Sequence, residues 1–374
     1  MKITSDFKFD MPAPKDTAGS YEWWYFDAAD DNQEWHIVVI FYDGCPFSTR
    51  YNKAWAAADP EALPWKHPAI TISLYYKGRP VFYSMSEYPP DEAVFSEDEG
   101  YGNSLRILIG RNELLLTKTG STLRHELRLD ESLPSGDALR GSLLFESEVP
   151  PRDLFGVLPV DVDAYAADEG PGHGWNLTQP RAKVEGRLTH TDAITGESSH
   201  FWNGTGYHDH NLGREPMKME FRDWYWGRIH FPKHTLVYYL MNAGGSLSYK
   251  GWLLDGSNSL KNTFESGSLG SFAANAFLLR AARTIELKAA DGSMVMLQHS
   301  QLLDSGPFYY RFLTDGLLNL ESDNKLVKAT GIGEYIRPER IHNSLYWPLV
   351  HMRYRYTESP HWVQRSPTMY RWTW

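Results

Sequence analysis

Alternation of apolar and polar residues, the pattern of half-buried β-strands, runs along most of the chain. It is clear in Ile70–Leu74, Leu123–Leu129 and Thr284–Leu287, where successive side chains would point to opposite faces of a sheet. Turn sequences such as Gly244–Gly245 and Asp255–Gly256 lie between such segments. Short strands separated by turns predict an all-β fold, either a sandwich or a barrel.

Three segments depart from this pattern or complete it. The stretch from Ser271 to Arg283 is rich in Ala and Leu, which makes it the best candidate for a short helix. The closing residues Met369–Trp374 alternate like an edge strand. Between Val149 and Pro180, several Pro, Gly and acidic residues indicate a long irregular loop, which inside a compact protein is usually functional.

Length and aromatic content refine this picture. A chain of 374 residues exceeds one ordinary core and suits two domains, which we place at 1–195 and 196–374. Aromatic residues make up 14% of the chain, as 14 Trp, 22 Tyr and 17 Phe. Such residues favour strands and also line pockets for unsaturated ligands. The aromatic residues can serve both in strands and as the lining of a pocket.

Charge and cysteine content narrow the function. The formal net charge is −10 and no Lys/Arg-rich run occurs, which argues against nucleic acid as a partner. The single cysteine, Cys45, excludes an internal disulfide and a Cys-cluster metal site. Residues 1–10 lack the apolar core of a signal peptide, and no run of about 18 apolar residues follows. We therefore expect a cytoplasmic protein.

The densest cluster of titratable side chains lies in the segment Gly204–Pro216. If this segment is extended, Tyr207, Asp209 and Asn211 point to one face of the strand. His208 and His210 then point to the other face. Aromatic residues flank the segment on both sides, so one of the two sets should face the interior. The alternation does not decide which.

The side chains on each face of this strand indicate a different chemistry. His208 and His210 could form a His-x-His metal pair. Further ligands for it would come from other histidines: His173, His190, His200 and His230. Alternatively, Asp209 faces an apolar cavity that raises its pKa, so that it stays protonated and can deliver a proton to an alkene. A third interpretation is structural, with Asp209 and Asn211 capping a turn before Leu212–Gly213.

Several motifs, in order along the chain, resemble one known family. They are Tyr21–Ala28, His173-x-Trp175, Tyr207-x-Asp209-x-Asn211-x-Gly213, Trp224–Arg228, Ser305–Arg311 and Gly331–Ile336. Together they look like the carotenoid 1,2-hydratase (hydroxyneurosporene synthase) family and its AttH-like relatives. The wider superfamily also includes Diels–Alderase-like cyclases.

The resemblance implies a fold, a substrate class and a set of site residues. The fold would be two consecutive lipocalin-like (calycin) antiparallel β-barrels. The substrate would be a long hydrophobic polyene or isoprenoid, handled without a metal or organic cofactor. The catalytic residues carry over onto four positions: His173, Trp175, Tyr207 and Asp209. We add a set of candidate substrate-binding residues: Trp24, Asn211, Trp224 and Trp226.

These observations lead to one main hypothesis and two alternatives. In the main hypothesis, Asp209 protonates a double bond, and water or an internal alkene captures the cation, which gives hydration or cyclisation. The first alternative is a Diels–Alderase-like pericyclase that acts by positioning a polyene. The second is a non-catalytic carrier of an apolar ligand. In each case the partner is a hydrophobic small molecule, which the protein could collect through transient membrane contact.

Overall fold

The computed structural model describes residues 2–13, 16–97, 104–150, 154–155, 172–321 and 325–374. Strands dominate, which confirms the all-β prediction. The three alternating segments Ile70–Leu74, Leu123–Leu129 and Thr284–Leu287 all lie within strands. None of the helices in the described ranges is both long enough and apolar enough to cross a membrane. Packing divides the chain into two compact units, Met1–Met217 with Trp347–Trp374, and Lys218–Tyr346.

The first unit is built on one large curled sheet. The described part of the chain before residue 217 contributes twelve strands: β1 Lys2–Thr4, β2 Tyr21–Asp30, β3 Trp35–Asp43, β4 Ala69–Tyr76, β5 Arg79–Glu87, β6 Ala93–Glu97, β7 Ser104–Ile109, β8 Asn112–Thr119, β9 Thr122–Ser132, β10 Ala138–Glu148, β11 Gly174–Asp192 and β12 Gly196–Gly213. The predicted domain boundary at 195/196 falls in the turn between β11 and β12, inside this unit.

The second unit is a closed antiparallel barrel of eight strands. The strands are β13 Asp223–His230, β14 His234–Ala243, β15 Ser246–Asp255, β16 Leu260–Ala274, β17 Arg280–Ala289, β18 Met294–Ser305, β19 Tyr309–Asn319 and β20 Leu326–Ile336. Closure comes from β13, which pairs with both β14 and β20. Apolar side chains such as Leu253, Ile285 and Leu287 fill the interior, as expected for a small barrel.

The end of the chain returns to the first unit. Strand β21, Tyr354–Tyr356, pairs in parallel with β5. The sheet then has the order β21-β5-β4-β3-β2-β12-β11-β10-β9-β8-β7-β6, and β1 pairs in parallel with β11. Within the described residues, the α-helices are α1 Thr49–Ala56, α2 Met217–Glu220, α3 Trp347–Arg353 and α4 Pro367–Arg371. The same residues form the 3-10 helices Phe7–Asp10, Pro64–Lys66, Pro90–Glu92, Pro338–Arg340, Ser344–Tyr346 and Trp362–Arg365.

The predicted helix at Ser271–Arg283 is wrong. This segment is the β16–β17 hairpin, in which Ala273 pairs with Ala281. The side-chain oxygen of Asn275 accepts hydrogen bonds from the backbone N–H groups of Phe277 and Leu279, which shapes the turn. The helix propensity of Ala and Leu is small for each residue, so pairing within a closed barrel overrides it.

The predicted edge strand at Met369–Trp374 is also wrong. Residues Pro367–Arg371 form α4, with Pro at its start and the Ser366 hydroxyl accepting from the backbone N–H of Met369. A Ser cap followed by Pro is a helix-start signal. The predicted loop Val149–Pro180 ends earlier than expected, because β11 begins at Gly174. Its residues 151–153 and 156–171 lie outside the described ranges.

Candidate active site

Strand β12 lies between β2 and β11, so side chains from three strands meet on each of its faces. The register places Asp209 opposite Tyr25 of β2, and Asn211 opposite Trp175 of β11. Residues Tyr207 to Asn211 are all buried. Both faces of the strand are therefore covered, which is why alternation could sort the side chains but could not choose an interior face.

Asp209 is the centre of a hydrogen-bond network. Its Oδ2 accepts from the hydroxyl of Tyr207 at 2.6 Å and from the indole Nε1 of Trp175 at 2.7 Å. Its Oδ1 accepts from the amide of Asn211 at 2.8 Å. The side chain is only 3% exposed. The structure thus brings together the predicted acid and three of the predicted site residues.

The environment of Asp209 shifts its titration towards neutral pH. Burial raises the pKa of Asp209 to about 6, although the hydrogen bonds from Tyr207 and Trp175 act in the opposite direction. Desolvation penalises the charged carboxylate, while donors stabilise it. Asp209 therefore keeps its proton to a higher pH than an ordinary aspartic acid does, and its conjugate base is stabilised by hydrogen bonds.

His173 completes the network from the other side of Asn211. Its Nε2 lies 3.0 Å from Asn211 Oδ1, and its Nδ1 lies 3.1 Å from the hydroxyl of Tyr21. Because an amide oxygen only accepts, Nε2 carries the hydrogen and Nδ1 accepts from Tyr21. Burial lowers the pKa of His173 to about 3. His173 is therefore neutral at physiological pH and orients Asn211 rather than supplying a proton.

The β2 strand supplies aromatic residues that sequence reasoning missed. Trp23 stacks on Tyr21 at 5.2 Å and lies 5.5 Å from the His173 ring. Tyr25 contacts Tyr207 edge-on at 6.1 Å. The alternation of positions 21, 23 and 25 was the available signal, because a period of two puts all three on one face.

The remaining predicted substrate-binding residues lie elsewhere. Trp24 is on the opposite face of the sheet, where its Nε1 donates to the carbonyl oxygen of Asp10 and its ring stacks on His210 at 4.7 Å. Trp224 and Trp226 belong to β13 of the second unit, and both are buried. The fourth predicted residue, Asn211, contacts Asp209 through a hydrogen bond.

His208 and His210 do not form the His-x-His metal pair. The Nδ1 of His210 bonds the carbonyl oxygen of Phe9, and its Nε2 lies 2.8 Å from a carboxylate oxygen of Glu22. Both ring nitrogens of His210 are therefore engaged by protein oxygen atoms, so neither is open to a metal ion shared with His208. The neighbouring His208 has a different environment, with Nδ1 2.9 Å from the carbonyl oxygen of Tyr25.

Comparison with known proteins agrees with the motifs. The family model described as carotenoid hydratase CrtC matches residues 132–359, which contain the whole Asp209 network except Tyr21. A hydroxyneurosporene dehydrogenase from Chlorobaculum tepidum is 31% identical over 359 residues, covering 92% of this chain and 90% of that protein. An acyclic carotenoid 1,2-hydratase from Rubrivivax gelatinosus is 28% identical over 317 residues, covering 83% of this chain and 68% of its own length.

A solved structure supports the fold. The crystal structure of CghA with Sch210972 has a TM-score of 0.60 at 13% identity, covering 85% of this chain and 88% of that chain. At this identity the likeness concerns the lipocalin-like fold alone. The family match extends over more than half of the chain, and the 31% identical relative is matched over nearly its full length. The chain therefore belongs to the carotenoid hydratase CrtC family.

Proposed function

We propose that this chain is a hydratase of carotenoid 1,2-hydratase type, which adds water to a double bond of a hydrophobic polyene with Asp209 as the acid. The observation that carries the proposal is the buried carboxyl of Asp209 held by three donors. Family membership supports the substrate class. The rest of the proposal is the chemistry that this carboxyl can perform.

The first step is protonation of the alkene. Asp209 Oδ2 already accepts two hydrogen bonds, while Oδ1 accepts one from the described residues. Each carboxyl oxygen has two lone pairs, so Oδ1 has room for the acidic proton. Transfer of that proton to one alkene carbon forms a C–H bond, breaks the π bond and leaves a tertiary carbocation on the other carbon. Asp209 becomes a carboxylate.

The donors around Asp209 make it a stronger acid than a carboxyl in a bare apolar pocket. Tyr207 and Trp175 both point their N–H or O–H groups at the oxygen that carries the developing charge. Such charge-assisted hydrogen bonds strengthen as the proton leaves. The same two rings can stabilise the carbocation through cation–π attraction. Asn211, fixed by His173, holds the second oxygen in place.

The second step is capture by water. A water oxygen bonds to the cationic carbon, and its extra proton returns to the Asp209 carboxylate. The product is a tertiary alcohol, and the acid is regenerated. If water were kept from the cation, an internal double bond would capture it instead, and the product would be a ring isomeric with the substrate.

The test is mass spectrometry of products after the purified protein is incubated with an acyclic carotenoid in water enriched in ¹⁸O. Hydration predicts a product heavier than the substrate by one labelled water. An isomeric product would discard hydration in favour of cyclisation. Replacement of Asp209 by Asn should lower turnover by roughly 10²–10⁴-fold while substrate binding is retained. Asp223→Asn in the second unit is the matched control, and full turnover by Asp209→Asn would remove the acid role.

A further inference from the structure

A second polar cluster lies on the face of β12 opposite Asp209. It consists of Asp10, at the end of the 3-10 helix Phe7–Asp10, with His125 on β9 and His208 on β12. Asp10 Oδ2 is 3.7 Å from His125 Nε2 and 3.5 Å from His208 Nε2. The three atoms all lie within 4.8 Å of one another, and all three side chains are fully buried.

Neighbouring groups fix the tautomers of both histidines. The amide nitrogen of Gln179 donates to the carbonyl oxygen of Leu123 at 3.1 Å, so its Oε1 faces His125 Nδ1, at 2.9 Å. The Nδ1 of His208 meets the carbonyl oxygen of Tyr25. Both acceptors require an N–H at Nδ1, which leaves the lone pair of each ring on Nε2. Both lone pairs are directed into the cluster.

Hydrogen bonds from neighbouring side chains also fix the carboxylate of Asp10. Its Oδ1 accepts from the amide of Asn176 at 2.8 Å, and its Oδ2 accepts from the hydroxyl of Thr178 at 2.7 Å. Within the described part of the chain, neither histidine Nε2 has a hydrogen-bond partner. Three electron-pair donors therefore face one another in the buried interior, which is costly unless a cation lies between them.

We propose that Asp10, His125 and His208 bind a zinc ion. Two imidazole nitrogens and one carboxylate oxygen are a common zinc ligand set, and zinc–ligand bonds are about 2.0–2.2 Å. Tetrahedral ligands at that bond length lie about 3.3 Å apart, close to the spacings from Asp10 to the two histidines. Octahedral neighbours would be nearer, at about 2.9 Å. The two spacings from Asp10 therefore suit a tetrahedral ion better than an octahedral one, and water would be the fourth ligand.

The groups that contact the two histidines have the arrangement found around metal ligands. Each histidine donates its other N–H to an oxygen, as metal-bound histidines almost always do. These contacts come from β11 and β2, whereas the ligands come from the N-terminal 3-10 helix, β9 and β12. A bound zinc ion would thus tie the segment Phe7–Asp10 to the sheet, and its function would be structural.

The experiment measures metal binding by the full chain, produced without a histidine tag. The protein is stripped with a chelator and titrated with Zn²⁺ against a competing dye, and with Co²⁺, whose visible absorption reports tetrahedral coordination. We expect one ion per chain, a tetrahedral Co²⁺ spectrum and a higher melting temperature with zinc. The ligand variants Asp10→Asn and His125→Gln should bind at least tenfold more weakly and lose the thermal shift.

Two further variants keep the test decisive. Gln179→Leu leaves all three ligands in place, removes the oxygen that faces His125 Nδ1 and the hydrogen bond to Leu123, and should weaken zinc binding about 10–100-fold. It serves as the test if circular dichroism shows that a ligand variant does not fold. His299→Gln, in the second unit, should bind as the wild type does. Equal affinity in wild type, Gln179→Leu and His125→Gln would mean adventitious surface binding and overturn the site. Failure of the folded wild type to bind either ion would show that a proton, not a metal, balances the cluster.

Discussion

At the scale of single residues, Asp209 is subject to two opposing effects. Burial favours the neutral acid, whereas hydrogen bonds from Tyr207, Trp175 and Asn211 favour the carboxylate. The pKa of Asp209, about 6, reflects the excess of the first effect over the second. Removal of one hydrogen-bond donor should therefore raise the pKa of Asp209.

Tyr207→Phe should raise the pKa of Asp209, because the carboxylate loses a donor at 2.6 Å. In the proposed mechanism the acid form of Asp209 is the active form, so activity should be retained below the pKa and should fall as pH rises through it. The wild-type kcat/KM should fall about tenfold per pH unit above about 6. In Tyr207→Phe the alkaline limb of the pH profile should shift to higher pH by roughly one to two pH units, since a hydrogen bond to a charged group contributes about 1.5–3 kcal/mol.

The pH profiles of kcat/KM for wild type and Tyr207→Phe are best measured on chelator-treated protein, so that no cation beside His208 alters the charge near Asp209. Tyr238→Phe, which removes a buried phenolic hydroxyl in the second unit, is the matched control and should leave the profile unchanged. An alkaline limb that stays in place in Tyr207→Phe would mean that another group is the acid.

His299 provides a residue-scale prediction for stability. It lies in the second unit, with Nδ1 2.9 Å from the hydroxyl of Thr314 and its ring stacked on Phe312. Burial lowers the pKa of His299 to about 3. The unfolded chain, with a pKa near 6.5, binds a proton where the folded barrel does not, so this contribution to stability is lost as pH falls from about 6.5 towards 3.

Wild-type protein should lose about 2 kcal/mol of unfolding free energy from His299 alone between pH 7 and pH 5. His299→Gln should remove this part of the loss in unfolding free energy, while the contributions of the other buried histidines should be unchanged. Urea unfolding of the second unit at the two pH values measures the difference. Parallel losses in wild type and variant would contradict the assignment.

At the scale of elements, the end of β12 is packed tightly against β2. A Cβ on Gly213 would lie 2.4 Å from the hydroxyl oxygen and 2.3 Å from Cζ of Tyr21. This close approach lets the Tyr21 hydroxyl reach His173. The glycine therefore sets the position of the outer end of the Asp209 network.

Gly213→Ala should push the Tyr21 ring away and loosen His173. We expect turnover to fall about 10–100-fold, because small displacements of positioning groups have large effects on rate. Stability should fall by about 1–3 kcal/mol. Tyr21→Phe should reduce turnover similarly, whereas Gly256→Ala, with open space around its Cβ, should be neutral. Full turnover in Gly213→Ala would show that Tyr21 has no part in positioning.

Element-scale reasoning from the sequence had clear limits. Alternation correctly predicted strands such as β4 and β9 and correctly sorted Tyr207 and Asp209 from His208. It failed at Ser271–Arg283, where composition suggested a helix but barrel pairing made a hairpin. It also failed at Met369–Trp374, where the cap at Ser366 outweighed alternation. A local sequence pattern shows only which side chains share a face. Whether the segment becomes a helix or a strand depends on the hydrogen-bond partners that its backbone finds.

At the scale of the whole molecule, the C-terminal segment is part of the first unit. Arg355 of β21 is paired with the buried Glu131, and its Nε donates to the hydroxyl of Ser86 at 2.9 Å. Glu131 also accepts from Tyr88 and Asn112. Loss of one partner leaves a buried charge uncompensated, which is strongly destabilising.

Arg355→Met should destabilise the first unit by about 3–5 kcal/mol. Hydrogen exchange should increase in β5 and β21 and stay unchanged in the second-unit barrel β13–β20. Arg124→Met, which breaks an exposed pair with Glu146, should change stability by no more than about 1 kcal/mol. Equal protection of β5 in wild type and Arg355→Met would show that the returning segment contributes little.

The sequence by itself determined the strand-rich class, the two faces of the Tyr207–Asn211 segment and the family, because alternation and motif order are properties of contiguous residues. Only the tertiary structure revealed that Tyr21 reaches His173 across 152 positions, and that Asp10 lies between His125 and His208. It also placed Trp24 on the face away from Asp209. Such contacts depend on which distant strands pair and in what register, since each strand could bury its apolar face against several partners.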